Sequence, residues 1–456
     1  MASRSSTTAA LAPLFAAGFL AYAYNNIFMT LTPTFVVGLG GALAEAGLQN
    51  SLFLAAAVLL RFVAGPVADR WGTKPVMAVG LIAFVIGGAL FPFCSTFWHV
   101  VAVRVVQAVG LAGFWSSATT TVSDVAPAEG RGWWLGLYRL VTSVSLLIGP
   151  TIAFALVEAV GFNVCFGLLS LCAAVALLCV LLLRSGRLVD GRVDERCAAM
   201  PDVADEERPS ALSAVDGRRA SAPSGLGVFC EGECATRDGE PFSSGTHPAI
   251  SAAPSAPRAS KLRGAASRWA HDARAIPASV IASVLGGTFI AAAGYGLLFS
   301  FGATFASAAG AADNAGWYFT LVGIGGLAAN PIAGFLSDRI GSQRLFGAHL
   351  LLMGMGIALF SMAGVAAVAF VASGLLAGFG YAGATVCAQA QAASRVDQAH
   401  RATILALQQN AIDLGIASAS AVYGIVFTAL GPESALPFIV QALFVLAAGT
   451  FLLRRH

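Results

Sequence analysis

Four ionisable side chains fall well inside long apolar runs: Arg61, Arg104, Arg139 and Asp413. A charge at the centre of a bilayer costs at least ~2.5–3.5 kcal/mol on insertion scales, so each needs a partner or a purpose. Asp413 is the one carboxylate among them. A carboxylate at that depth can hold or release a proton according to which side is open to water, and proton coupling requires that behaviour. The competing reading is that Asp413 neutralises an arginine. Arg139 lies about two turns into its run, where it could face a central cavity. Three arginines against one aspartate leave positive charge in excess, which hints at an anionic or zwitterionic substrate.

The other reactive residue types do not assemble into a site. His99 and His349 are isolated, and no H-E-x-x-H or G-x-S-x-G pattern occurs. Of the eight cysteines, Cys94, Cys165, Cys172, Cys179 and Cys387 lie in apolar runs, where Cys serves as a small hydrophobe. Cys230 and Cys234 lack the second pair or histidine that a zinc site needs. No catalytic set, metal or cofactor is expected, and the chain does not read as a membrane enzyme. A non-transporting sensor is the other rival, and the absence of a second folded domain weighs against it.

The elements that must hold these charges are membrane spans. The chain is 57% hydrophobic and 11% charged, far below the roughly 25% charged of soluble domains. Its net charge of +3 is too small to suggest nucleic acid. About 20 apolar residues cross a bilayer as helix. By that rule spans are expected near 11–36, 48–67, 75–95, 98–120, 133–157 and 162–184, then 277–302, 316–336, 345–364, 366–388, 403–428 and 434–453. The first run is too long for a signal-peptide core and carries Asn25 and Asn26, so it is read as an uncleaved span. Alternate connections hold no Lys or Arg, whereas the others hold Arg70, Lys74, Arg131, Arg339, Arg344, Arg395 and Arg401. The positive-inside rule therefore places both termini in the cytoplasm.

The spans repeat. Gly65-Pro66-Val67-Ala68-Asp69-Arg70-Trp71-Gly72 returns as Gly334-Phe335-Leu336-Ser337-Asp338-Arg339-Ile340-Gly341, so G-x-x-x-D-R-x-G occurs twice, each time after a second span of its half. Gly110 and Gly113 of the fourth span match Gly380 and Gly383 of the tenth, and Arg131 matches Arg401. Paired glycines at that spacing suit close helix approach in lipid. Such duplication is a mark of transporters built from internal repeats. Between the halves, residues 185–276 are polar, of mixed charge and without apolar periodicity, and read as a disordered cytoplasmic linker. Its last part, 260–276, places Leu262, Ala265, Trp269 and Ile276 opposite Lys261, Arg263, Arg268 and Arg274. That pattern fits an amphipathic helix on the inner leaflet or an unstructured basic collar.

The duplicated loop, with Lys74 and Pro75 after its first copy, resembles the signature of major facilitator superfamily transporters. Arg104-x-x-Gln107-x-x-Gly110-x-x-Gly113 is similar to the fourth-helix pattern of that family. Arg131-Gly132, Gly136-x-Tyr138, Gly149-Pro150, Gly294-Tyr295-Gly296, Asn314-Ala315-Gly316 and Asp413-Leu414-Gly415-Ile416 resemble its drug:proton antiporter-1 group, the arabinose-efflux-permease-like members in particular. The fifth-helix antiporter signature is departed from at Ser145 and at Ala153-Phe154.

The resemblance implies an all-α integral membrane protein of twelve transmembrane helices in two pseudo-symmetric six-helix bundles, at 1–184 and 277–456. It implies alternating access, with proton-coupled efflux of a small amphipathic or anionic organic molecule as the leading reading. Uptake or exchange of an organic anion is the alternative, kept open by the lack of an acid in the first helix. Proton coupling would fall to Asp413, Arg104 and Arg61, the last as a partner for Asp413 because the second and eleventh helices are neighbours in the family fold. Gating would fall to Gly65, Asp69, Arg70, Gly72 and Lys74 with Gly334, Asp338, Arg339, Gly341, Arg131 and Arg401; an Asp there faces the start of a helix of the opposite half. Substrate would meet Arg139, Tyr22, Asn25, Asn26, Gln107, Trp115, Tyr295, Phe299, Tyr381 and Asn410. The expected partners are the small-molecule substrate, protons and the lipid bilayer, with no nucleic acid, in a monomer of the plasma (inner) membrane.

Overall fold

The computed structural model describes residues 2–126, 131–183, 277–311, 316–395 and 401–454, and among them the regular structure is helical throughout. Helix is what an apolar chain without water must form, because each segment satisfies its own backbone groups. In chain order the helices are α1 (Ala2–Gly38), α2 (Leu43–Trp71), α3 (Thr73–Leu90), α4 (Phe97–Val125), α5 and α6 within Arg131–Leu181, α7 (Ala278–Ala308), α8 (Gly316–Ile340), α9 (Ser342–Phe360), α10 (Ala367–Arg395), α11 (Arg401–Leu430) and α12 (Leu436–Arg454). The linker 185–276, with Cys230, Cys234 and the amphipathic stretch 260–276, lies outside the described residues.

Eleven of the described helical segments are long and apolar enough to cross a membrane. One of them, Gly136–Leu181, has 46 residues. As a single helix it would run about 70 Å at 1.5 Å per residue, more than twice the ~30 Å hydrocarbon core. It is broken at Gly161, whose φ of 82° and ψ of 168° are not helical. Counted on either side of that break, α5 and α6 bring the crossings among the described residues to twelve, with bounds within a few residues of those expected.

The duplication is written in the backbone as well as in the motif. Six described glycines have positive φ: Gly40, Gly72, Gly161, Gly310, Gly341 and Gly431. They pair at offsets of 310 − 40 = 270, 341 − 72 = 269 and 431 − 161 = 270 residues. Each pair makes the same turn in the two halves: α1 to α2 and the end of α7, α2 to α3 and α8 to α9, α5 to α6 and α11 to α12. At Gly72 the φ is 89° and at Gly341 it is 94°, a conformation that costs glycine little and other residues much. The closing glycine of G-x-x-x-D-R-x-G is therefore required by the turn in both copies.

Packing follows the same plan. The paired glycines let α4 lie on α3 and α10 on α9. A Cβ at Gly110 would strike the Phe84 ring, and one at Gly383 would strike the His349 ring. The N-terminal bundle has one apolar core, built around residues such as Phe28, Phe84, Phe91 and Phe166. The C-terminal core, around Phe301, Phe319, Phe346 and Phe360, also takes in Phe53, Leu54 and Ala57 of α2. The two bundles meet along two seams, α2 against α11 and α5 against α8.

Candidate functional site

The seam between α2 and α11 holds an ion pair. Arg61 of α2 donates through Nη1 to Oδ2 of Asp413 on α11, and lies 3.5 Å from Oδ1 of Asn410. The two side chains are 15% and 7% exposed. Gln409 precedes Asp413 by one helical turn and so lies on the same face of α11. Tyr381 of α10 stands close enough for its phenol to feel that charge. Arg61 reaches the pair from a helix of the opposite bundle, so the contact exists only while these two helices are together.

Beside the pair is a wall of rings. Tyr295 of α7 stacks on Tyr381 at 4.0 Å between centroids and on Phe299 at 4.3 Å. Phe299 meets Phe319 of α8 edge-on at 4.9 Å, and Phe319 lies parallel to Phe154 of α5 at 6.4 Å. The N-terminal bundle has its own cluster. Tyr22 contacts Trp115 at 4.1 Å and Tyr138 at 6.5 Å, and Phe15 meets Tyr138 and Trp134. Tyr138 Oη and Asn25 Oδ1 are buried there without a hydrogen-bond partner. Such orphans are uncommon in finished interiors. Tyr138 Oη can donate to or accept from a water or ligand atom, and Asn25 Oδ1 can only accept. Asn26 contributes its carbonyl to Thr30 Oγ1 at 3.1 Å.

Arg104 is a different kind of buried charge. It is 1% exposed, and the partners described for it are all neutral. Its Nε donates to Gln49 Oε1 at 3.1 Å and Nη1 to Gln107 Oε1 at 3.0 Å. Nη2 donates to Asn50 Oδ1 at 2.9 Å and approaches Met29 Sδ at 3.3 Å. The guanidinium also sits over the Phe53 ring at 3.8 Å. From there the network runs both ways. Gln107 Nε2 donates to Tyr24 Oη at 2.7 Å, and Tyr24 donates to the Phe84 carbonyl at 2.6 Å. Asn50 Nδ2 donates to Ser300 Oγ at 3.3 Å, and Ser300 meets Ser420 at 2.7 Å. Arg104 thus anchors a polar chain from α3 through α1, α4 and α2 to α7 and α11. Gln107 is fully buried within that chain.

Further hydrogen bonds stitch the seams. On one, Ala44 N–H donates to Thr428 Oγ1 at 2.8 Å and Ser51 Oγ to the Ala417 carbonyl at 2.6 Å. On the other, Thr151 donates to the Gly316 carbonyl at 2.8 Å and contacts Thr320, while Asn330 Nδ2 reaches Ser143 Oγ at 3.4 Å. These contacts run from the end opposite the Gly72 and Gly341 turns toward mid-helix, and Arg61 and Asp413 lie past them on the side of the Gly72 turn. Gln49, Asn50, Ser51, Ser300 and Ser420 were not singled out by the sequence reading. The first three form a polar triplet, 49–51, inside an apolar run, which is their signal; Ser300 and Ser420 have none.

The residues of the duplicated loops are partly accounted for. Lys74 Nζ donates to the carbonyls of Leu181 at 3.0 Å and Leu183 at 2.6 Å, so it caps the end of α6 in its own bundle. Arg339 lies over Phe335 at 4.3 Å, and Arg70 is exposed. A Cβ at Gly65 or Gly334 would meet nothing within 4 Å. The side chains of Asp69, Asp338, Arg131, Arg139 and Arg401 lie outside the described residues, as does Asn314.

Comparison with known proteins agrees with this architecture. The chain matches the profile of the Major Facilitator Superfamily over residues 14–230 and 284–456. It is 29% identical to the MFS-type transporter ppz2 of Metarhizium majus over 160 residues, 35% of this chain and 28% of that protein. It is 28% identical to Multidrug resistance protein 3 of Bacillus subtilis over 153 residues, 32% of this chain and 30% of that protein. The matched stretch thus spans less than a third of either relative. The crystal structure of a mutant of the nucleoside transporter NupG superposes with a TM-score of 0.71 at 13% identity, covering 98% of this chain and 99% of that one. At that identity the likeness is one of fold. A profile match over far more than half of the chain, on two six-helix bundles joined at polar seams, makes it a member of the Major Facilitator Superfamily.

Proposed function

We propose that the chain is a proton-coupled secondary transporter that exports a small amphipathic or anionic organic molecule by alternating access. The observation that carries the reading is the Arg61–Asp413 pair in the seam between the bundles. A buried ion pair is costly to break by separation, because each charge is then left in a poor solvent. A proton on Asp413 removes its share of that cost and the attraction across the seam, leaving the Arg61 guanidinium as the one charge still to be solvated or paired. Protonation therefore loosens α2 from α11, and the bundles rock about the chamber bordered by the two aromatic clusters. In this arrangement the seams are stitched from the end away from the Gly72 and Gly341 turns, which fits a state closed at that end.

The remaining assignments belong to the same reading. Tyr295, Phe299 and Tyr381 on one side, with Tyr22, Trp115, Asn25 and Asn26 on the other, receive the substrate, and Arg139 and Asn410 add polar contacts. Asp69 and Asp338, with the arginines and glycines of their loops, gate the other end. The termini and the 185–276 linker lie in the cytoplasm, and the chain works as a monomer of the plasma membrane with bundles at 1–184 and 277–456. Export is the direction suggested by the name of the Bacillus subtilis relative. Uptake or exchange of an organic anion is the second reading, favoured by the cation that Asp413 faces.

Everted vesicles test the proposal. With a proton gradient established, addition of a transported compound shifts the gradient in step with substrate movement, and Asp413→Asn abolishes that response while leaving substrate binding. An Asp413→Asn protein that still moves protons with substrate removes Asp413 from the coupling role.

A further inference from the structure

We propose that Arg61 is the receptor for the acid group of an aromatic or amphipathic carboxylate. Asp413 occupies that receptor whenever it is ionised, so substrate and proton bind together and move the same way. The inference rests on the proton-coupled reading above and goes beyond it in naming the substrate class and the sign of the coupling.

The groups facing Asp413 decide the sign. From α2 it meets the Arg61 guanidinium, and from α10 the Tyr381 phenol, itself stacked on Tyr295 of α7. On its own helix it meets Gln409, while Asn410 lies beside Arg61. Arg61 is the cation of this set. A cationic substrate drawn to Asp413 would be pressed against that guanidinium in a weakly screening interior. An anionic substrate arriving while Asp413 is ionised finds the guanidinium already taken.

Once Asp413 takes a proton from water on the open side, its new O–H leaves a neutral acid. Arg61 then retains only the Asn410 oxygen. An unpaired buried guanidinium is costly, and a second carboxylate repairs it with two parallel N–H···O bonds. The body of the molecule lies against the rings of Tyr381, Tyr295 and Phe299, whose stacked faces suit an aromatic or amphipathic skeleton. On the far side the O–H breaks and the proton passes to water. The Asp413 carboxylate then reclaims Arg61 and expels the substrate anion. One proton and one carboxylate have crossed, with no net charge moved.

This differs from the exchange of proton against substrate that the drug:proton antiporter resemblance implies. It lets the same site export an acid whenever the outward acid gradient exceeds the inward proton gradient. The linkage is reciprocal: whatever the proton does for the anion, the anion does for the proton.

The test uses the full chain purified in lightly buffered detergent, with 4-phenylbutyrate and its matched amide and amine as probes. The acid is expected to bind at least tenfold more tightly than the amide or amine, and to take up a proton from solution as it binds. Its Kd should rise about tenfold per pH unit once Asp413 is ionised in the free protein. Asp413→Asn should bind the acid with a pH-independent Kd. The double variant Arg61→Gln with Asp413→Asn, which leaves the seam without charge, should keep the wild-type melting profile and lose the preference for the acid. Proton release on binding, or preference for the amine, overturns the inference while leaving proton coupling intact. Binding of the acid with no proton exchanged overturns both, and absence of acid binding overturns the substrate class.

Discussion

Arg104 and Asp413 show how two buried charges of one chain come to different ends. Asp413 is joined to Arg61 of the other bundle, so its partner can be withdrawn by a rigid-body movement. Arg104 is held by Gln49, Gln107 and Asn50, which belong to its own bundle and stay with it through any such movement. Its charge is spread over oriented neutral dipoles, and a hydrogen bond from a charged donor is worth about 1.5–3 kcal/mol. Arg104→Ala leaves three buried side-chain oxygens without this donor. It should lower unfolding stability by roughly 3 kcal/mol or more, seen as a lower melting temperature in detergent, with α2 and α4 losing protection from hydrogen exchange first. An unchanged melting temperature would mean that the network is not structural. Arg61 and Asp413 were legible as a candidate pair because a charge in an apolar run is rare. Ser300 and Ser420, the partners beyond Asn50, were not legible: neutral polar residues are common in such helices, and only the fold brings positions 250 and 120 residues apart to 3.3 and 2.7 Å.

At the level of helices, the duplicated motif carried more than its own residues. G-x-x-x-D-R-x-G identified the α2–α3 and α8–α9 turns, and the subtraction that aligned them also aligns Gly40 with Gly310 and Gly161 with Gly431. Those pairs escaped the reading because a lone glycine in a glycine-rich chain of 51 carries no local signal. The glycines themselves divide into two kinds. At Gly380 a Cβ would stand 2.6 Å from both the His349 carbonyl oxygen and Met353 Cβ, so one of the helices must shift. At Gly65 and Gly334 a Cβ meets nothing within 4 Å. Gly380→Ala should therefore destabilise by about 1–3 kcal/mol, the usual range for overpacking. Gly65→Ala and Gly334→Ala should leave the melting temperature within a degree or two. If those two variants nevertheless lose transport, their glycines are needed in the other conformation, where the loops close against the opposite bundle. A loss of stability in either would instead make them ordinary packing positions.

For the whole molecule the question is whether the two seams part. The bundles are joined at Ala44–Thr428 and Ser51–Ala417 on one side and at Thr151–Thr320 on the other, with Arg61–Asp413 nearer the middle. Rigid-body rocking predicts that the outer joints open as a group, since α2 and α5 belong to one bundle and α8 and α11 to the other. The Thr151 and Thr320 hydroxyls are already in contact, so cysteines in their place stand within reach of a disulfide. In a background with the native cysteines replaced, Thr151→Cys with Thr320→Cys should cross-link on oxidation, bring substrate flux to background and recover it on reduction. Adding Asp413→Asn should slow the cross-linking several-fold, because a seam without its ion pair spends more time apart. Full flux through a quantitatively cross-linked protein would mean that this end never opens. Cross-linking unaffected by Asp413→Asn would mean that the ion pair does not govern the seam. The two outcomes separate movement from its control, because the first reads whether the bundles must part and the second reads what holds them.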